Sequence, residues 1–359
     1  MLRKLLVTSL ALFSIAFLRA QDSAKKSGPT VAITGSLDAY YRYNFDNPPD
    51  YPFNSPTSFT HTSNSFALGM ASLRADASYG KVSATVDLGW GPREDEFSYN
   101  EVGTSAVAIK QLYVSYAATS AIKFTFGTWG THIGYEVLDA YLNRNYSMSY
   151  MFTNGPFSQT GLKADITLGG KSALMIGISN PTDYRAAPNM PKTAIAQFST
   201  ASKDDKLKLY LNFEGGAQSD LKSTMQGDVV INYALSSTFS LGYNGTVQGV
   251  KYRATAADQF VNYTWWGSAL YLNLDPTTVF GLTLRGEYIG NADGWITNGA
   301  GMNIGNVVAG TLSGNFRIDN LTIIPEIRID AADNSVFYKS ATETTKSTVS
   351  AILAVTYHF

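Results

Sequence analysis

The sequence predicts a transmembrane antiparallel β-barrel of about sixteen strands, and three observations carry that prediction. Charged residues make up only 15% of the 359 residues, while aromatics reach 13%, with Tyr 22, Phe 19 and Gly 31. An ordinary soluble domain carries roughly 25% charge. Mean hydropathy is -0.07, too polar for a bundle of membrane helices. Long two-faced strands then recur to the C-terminus, joined by connections that alternate between short and long. Lys+Arg 27 against Asp+Glu 28 give a net charge of -1, so no concentrated positive face exists for nucleic acid. Cysteine is absent, which excludes a disulfide framework, a thiolate zinc site and a cysteine nucleophile. Three histidines leave little room for a metal centre, and no cofactor is expected.

The N-terminus reads as a signal peptide over 1–20. Arg3 and Lys4 precede an apolar run from Leu5 to Phe17, and Ala20 stands before Gln21. The run is shorter than the roughly 20 residues a spanning helix needs. Residues 21–30, with several Ser and Lys and the pair Gly28-Pro29, read as a flexible leader. The barrel is expected over 31–359, exported to the bacterial outer membrane.

In the first strand Val31, Ile33, Leu37, Ala39, Tyr41, Tyr43 and Phe45 share one face, and Thr34, Ser36, Asp38, Tyr40, Arg42 and Asn44 share the other. Side chains two apart lie on one side of a strand. Its length exceeds the five or six residues usual in soluble proteins and suits a tilted membrane crossing of about 9–11. The second strand breaks phase: Phe66, Leu68 and Met70 have opposite parity to Leu73, Ala75 and Ala77. Either a bulge sits near Gly69, or those three pack inward.

Short turns fall at 80–81, 118–121, 169–171, 203–206, 235–238, 275–278 and 318–320. Longer polar stretches occupy 46–64, 91–105, 130–158, 180–192, 215–223, 250–260, 290–302 and 332–346. Seven short turns and eight long loops join sixteen strands, with both termini on the periplasmic side. Leu207 to Glu214, Phe239 to Gln248 and Leu321 to Asp330 repeat the alternation, although Pro325 lacks a ladder donor and calls for a bulge. The last strand places Val349, Ala351, Leu353, Val355, Tyr357 and Phe359 on one face. Its terminal aromatic, with Tyr357, is similar to the signal by which the barrel-assembly machinery selects its substrates.

A soluble barrel or sandwich shares the alternation, but its strands are shorter and its wet faces carry more Lys and Glu. A more specific pattern centres on residues 124–180. Phe126-Gly127 ends a strand, and Ile133, Gly134, Tyr135 and Glu136 form a turn. Asn143, Asn145, Tyr146, Ser147 and Ser149 follow, then Gly155-Pro156 and Gly161. This block, with the opening GSLDAYYRYNF, resembles β-barrel porins of the OmpL-like type, a family of bacterial outer-membrane porins. The resemblance implies a channel for passive diffusion of small hydrophilic solutes, set in outer-membrane lipid. A homotrimer is a possible assembly, since trimers are common among sixteen-stranded porins.

The stretch 130–158 is the longest connection and the third long loop, and it contains a helix-capable piece from Glu136 to Asn143. Loops of this length are usually functional. The resemblance implies that it folds into the lumen, with Glu136, Asp139 and Arg144 at the constriction. Wall charges on polar faces include Arg42, Arg74, Asp76, Lys163, Asp165, Arg285, Glu287, Glu326 and Arg328. They must face the lumen, because Arg or Lys on the lipid side at mid-membrane costs about 2–4 kcal/mol. Nine cations and nine anions can be assigned to the wall, a balanced lining in which many pairs brace the barrel.

Catalysis is the competing class, but His61 and His132 lie in loops, His358 adjoins the terminus, and no serine has nucleophile-elbow spacing. An adhesin or receptor is the third class, acting through 46–64 and 91–105. Loop 46–64 looks stiff, with Pro48, Pro49, Pro52 and Pro56 among Tyr51, Phe53 and Phe59.

Overall fold

The computed structural model describes residues 28–49 and 51–359; the expected signal peptide and the leader up to residue 27 lie outside the described residues. The wall begins with β1 (Thr30–Asn44), β2 (Ser65–Tyr79), β3 (Val82–Trp90), β4 (Ile109–Ala117) and β5 (Ile122–Gly130). It continues through β6 (Ser158–Gly169), β7 (Ser172–Ser179), β8 (Thr193–Ala201), β9 (Leu207–Ser219) and β10 (Lys222–Ala234). Next come β11 (Phe239–Tyr252), β12 (Val261–Leu274), β13 (Phe280–Gly290), β14 (Val307–Ile318) and β15 (Leu321–Ala332). Two short strands, β16 (Phe337–Tyr338) and β17 (Thr344–Thr345), form a hairpin inside the last loop, before β18 (Ser347–His358). Each wall strand pairs antiparallel with its sequence neighbours, and β1 pairs with β18 to close a sixteen-stranded barrel.

Alternation decides which side of the wall each residue takes. On β12, Trp265, Ala269 and Tyr271 are buried inward, whereas Trp266 and Leu270 are exposed on the lipid side. Arg74, Arg285 and Arg328 turn inward beside lipid-facing Leu73, Leu284 and Ile327. Closure is completed at the chain end, where Phe359 and Gly35 exchange both backbone hydrogen bonds, at 2.9 and 3.0 Å.

The irregularities have local causes. Leu37 pairs with Ala71 but Ala39 with Leu68, so β2 carries one extra residue at Gly69–Met70. That bulge reconciles the two phases: Phe66 and Leu68 face lipid, and Met70 is buried inward. Asp38 fills the notch by accepting from the Met70 N–H at 3.1 Å, and a Cβ on Gly69 would collide with its carboxylate.

Three expectations are corrected. The stretch 215–223 is not a long loop: β9 and β10 run on to a two-residue turn at 220–221. Its glycines look loop-like in sequence, but the Phe213 ring lies over Gly215 and Gln218 donates to Thr193 and Thr224, which sustains the strand. Pro325 needs no bulge. The β14–β15 register is unchanged on either side of it, and only the pairs opposite Gly314 and Asn315 are skipped. The piece Glu136–Asn143 holds only a single 3-10 turn, Ala140–Leu142, while a helical turn forms later at Tyr150–Asn154. There Ser149 accepts from the Phe152 N–H at 3.1 Å, the cap that the earlier piece lacks.

Candidate functional site

The third long loop, residues 131–157, leaves β5 and folds into the lumen. Its base is closed by the Thr131 N–H donating to the Phe157 carbonyl at 2.9 Å. The His132 ring meets the Phe213 carbonyl at 3.0 Å, and burial pushes its pKa down to about 4, so the imidazole is neutral. Gly134 adopts φ 92°, a left-handed conformation suited to glycine, and its N–H reaches Asp228 at 3.1 Å. Tyr135 stacks on Tyr271 with ring centroids 4.1 Å apart. Within five residues the loop has crossed from β5 to the wall of β9 to β12.

The next stretch is fastened to the far wall. Glu136 accepts from Arg285 at 2.6 Å, from the Tyr271 hydroxyl at 3.1 Å and from the Ser149 N–H at 2.7 Å. Asp139 reaches across to Lys110 on β4 at 2.6 Å. Tyr141 stacks on His358 at 4.8 Å. Arg144 grips Asp275 with two bonds of 2.9 Å beside the turn between β12 and β13, and Asp275 also binds Arg317 at 2.8 Å. The Tyr146 and Ser147 N–H groups donate to Glu326 at 2.7 and 3.1 Å, and the Tyr146 hydroxyl donates to Asp38 at 2.6 Å. Arg285 and Arg328 donate to the carbonyls of Ser147 and Met148, and the Tyr150 N–H donates to Glu287. An unpaired buried charge is costly, so β13 and β15 hold the loop by needing its backbone groups.

Neighbouring loops pack onto this insertion. Arg42 donates to the carbonyls of Phe53, Asn54 and Thr62, which draws loop 46–64 inward. Phe59, Phe97, Phe152 and Phe157 form an aromatic cluster, and Arg93 lies 4.8 Å from the Phe59 ring and 3.6 Å from Asp38. Phe59 of loop 46–64 is buried in this cluster, whereas Tyr51 of the same loop stays exposed. Asp183 accepts from the N–H groups of Phe157 and Ser158 and from the Tyr99 hydroxyl. Burial pushes the carboxyls of Asp183 and Glu94 up to about 7.

Space remains on both sides of the inserted segment. One cavity of about 260 Å³ lies toward β1 to β5, lined by Ser36, Arg74, Lys110, Gln111, Asp139 and Tyr141. Another, of about 330 Å³, lies toward β10 and β12, lined by Arg144, Asn232, Tyr271 and Asn273. Glu136 stands between them and borders both. The wall charges thus separate into two groups. Arg285, Glu287, Glu326 and Arg328 are buried under the loop. The side chains of Arg74 and Asp76, paired at 2.7 Å, stay 33% and 41% exposed. Lys123 and Asp165, 3.4 Å apart, stay 52% and 34% exposed, and Lys163 lies over the Trp129 ring at 5.0 Å.

Sequence reasoning named most of these residues but not their partners. Arg93, Tyr146, Asp183 and Asp275 carry anchoring contacts that it did not assign. Tyr146 lies in the Asn-Tyr-Ser block already singled out, whereas Asp275 reads as an ordinary turn residue. Tyr357 and Phe359 stay exposed on the outer face of β18, 6.3 Å apart.

The comparisons agree with this geometry. Residues 30–359 match the family model described as "Putative beta-barrel porin-2, OmpL-like". The outer membrane channel DcaP of Acinetobacter baumannii superposes with a TM-score of 0.64 at 12% identity, covering 94% of this chain and 99% of that one. The anion-selective porin from Comamonas acidovorans gives 0.59 at 10% identity, covering 92% and 100%. OmpT of Vibrio cholerae gives 0.57 at 9% identity, covering 94% and 100%. No curated protein matches the sequence. A sixteen-stranded barrel with an inserted third loop, matched by one family model along almost its whole length, makes this chain a member of the OmpL-like β-barrel porin-2 family and an outer-membrane porin.

Proposed function

We propose that small hydrophilic solutes diffuse passively along the β2–β6 side of the lumen, between that wall and the inserted loop. The observation that carries this reading is the exposure retained by Arg74, Asp76, Lys123 and Asp165, against the burial of the β13 and β15 charges. Asp139 presents charge at the narrowest part, and Glu136 and Arg144 set its width by holding the loop. Paired charges of both signs favour small polar solutes of either charge over strong ion selection. The mature chain begins after residue 20, and Tyr357 and Phe359 form the assembly signal. A homotrimer suits this reading, as OmpT of Vibrio cholerae is known in a trimer form. No group here is assigned to catalysis.

Planar-bilayer recording and liposome swelling test the proposal. The protein should conduct in discrete steps and admit sugars and amino acids up to a size limit. A barrel that inserts but neither conducts nor swells liposomes would overturn the channel path and favour a filled barrel that acts through its loops.

A further inference from the structure

The outer face of β9 to β12 carries a second feature, remote from the lumen. The strand register stacks outward residues in rows: Ala217, Ser223, Lys251 and Asn262 uppermost, then Gly215, Met225, Gly249 and Thr264, then Phe213, Gly227, Val247 and Trp266. Leu211, Val229, Gly245 and Ser268 follow. Lys251 lies at the long-loop end, and Arg253 continues its side of β11 into the loop. Their charged groups sit 4.8 and 4.5 Å from the centroid of the Phe260 ring, so one aromatic side chain gathers both cations. Neither cation makes an ion pair among the described residues. Among the described residues the Arg253 side chain donates only to the carbonyls of Asp220 and Ala256, and its Nε is buried without an acceptor.

Below the cations the wall is hollowed on its lipid side. Two open grooves of about 460 and about 690 Å³ run down the same strands, bounded by Met225, Tyr243, Val247 and Trp266. Their floor includes Gly227 and Gly249. A Cβ on Gly227 would meet nothing within 4 Å, and one on Gly249 only a carbonyl at 4.0 Å. Neither glycine takes a positive φ, so neither backbone shape nor internal packing requires them there. From Lys251 to Gly245 the groove spans six residues, or about 20 Å of strand. At a tilt of about 40° that descends roughly 15 Å, the depth of one leaflet of a core about 30 Å thick.

We infer that this face binds a phosphorylated, acylated glycolipid of the outer leaflet. Its phosphate meets Lys251 and Arg253, which make no ion pair among the described residues, and its acyl chain lies in the groove over Gly249 and Gly227. The inference is independent of the solute path.

The test uses the detergent-solubilised full barrel, native mass spectrometry, and two probes: bisphosphorylated lipid A and its dephosphorylated form. The wild-type protein should retain the phosphorylated probe at least fivefold more strongly. Lys251→Gln/Arg253→Gln should abolish that preference, and exposed Lys251→Gln alone should reduce it, with heat-modifiable mobility and channel conductance unchanged. Gly227→Leu/Gly249→Leu should weaken retention of both probes. Equal retention of the two probes by the wild type, no adduct at all, or a double Gln variant that keeps the preference would overturn the inference. If the glycine variants change the subunit count and leave lipid retention intact, the groove seats a second copy of the chain, and the inference is wrong.

Discussion

The two sides of the lumen are built from the same kind of residue and end in opposite states. β13 and β15 carry Arg285, Glu287, Glu326, Arg328 and Asp330, and all five are buried. On β2 to β6, Arg74, Asp76, Lys123 and Asp165 keep a third to a half of their side chains exposed, and only Asp87 and Lys110, where Asp139 of the loop touches this wall, are buried among the charges named. The difference is not in the strands. Where loop 131–157 reaches the wall, its N–H and C=O groups complete the hydrogen bonding of charges that would otherwise be too costly to bury. Where it does not, neighbouring wall charges pair with one another, as Arg74 does with Asp76, and keep part of their side chains exposed. A charged lining inside a barrel is therefore scaffold or pore according to whether a loop comes to it.

Several interventions break or sharpen that contrast. Deleting Tyr135 to Tyr146 should expose the β13–β15 wall and raise single-channel conductance several-fold while the barrel stays heat-modifiable, since loops tolerate loss better than strands. Unchanged conductance would mean the segment does not limit flow. Arg285→Ala should be the most damaging single substitution, at about 3–5 kcal/mol, because it strands Glu136 and Glu287 in a dry site. A fall in the unfolding temperature, with noisier conductance, is the readout. Arg74→Ala and Asp76→Asn should cost far less stability, yet shift the reversal potential in opposite directions, toward cations and anions respectively.

The smallest effect concerns pH. Glu94 and Asp183 in the packed loops titrate near about 7, above the roughly 4 of an unfolded carboxyl. Between those values the packed loops hold more protons than the loosened ones, so packing is favoured in acid and that contribution fades as pH rises through about 7. Protease nicking of segments 92–98 and 180–186 should be slower at pH 5 than at pH 8, after correction for the protease's own profile.

Most of the wall is legible in the sequence, because alternation over long strands reports sidedness directly. Val31 to Phe45 and Leu321 to Asp330 read correctly for that reason. Errors arise where long-range contact overrides local composition. Gly215-Gly216 looks like a loop but stays paired under Phe213, and Pro325 is carried by a register that simply skips it. In the inserted loop, residue types suggested helix at Glu136–Asn143, while Ser149 capped a different turn. Two of the three partners of Glu136 lie 135 and 149 residues away, on Tyr271 and Arg285, and no local pattern encodes such pairings.

The chain has no cysteine, so a single introduced thiol reports access at one position. Asp76→Cys on the open wall and Thr311→Cys on β14, which is fully buried beside Arg285, make the decisive pair. In a planar bilayer, a small charged thiol reagent should react rapidly at position 76 and reduce conductance, while position 311 stays unmodified. Rapid modification and block at 311, with no response at 76, would place the solute path on the opposite wall and contradict the account.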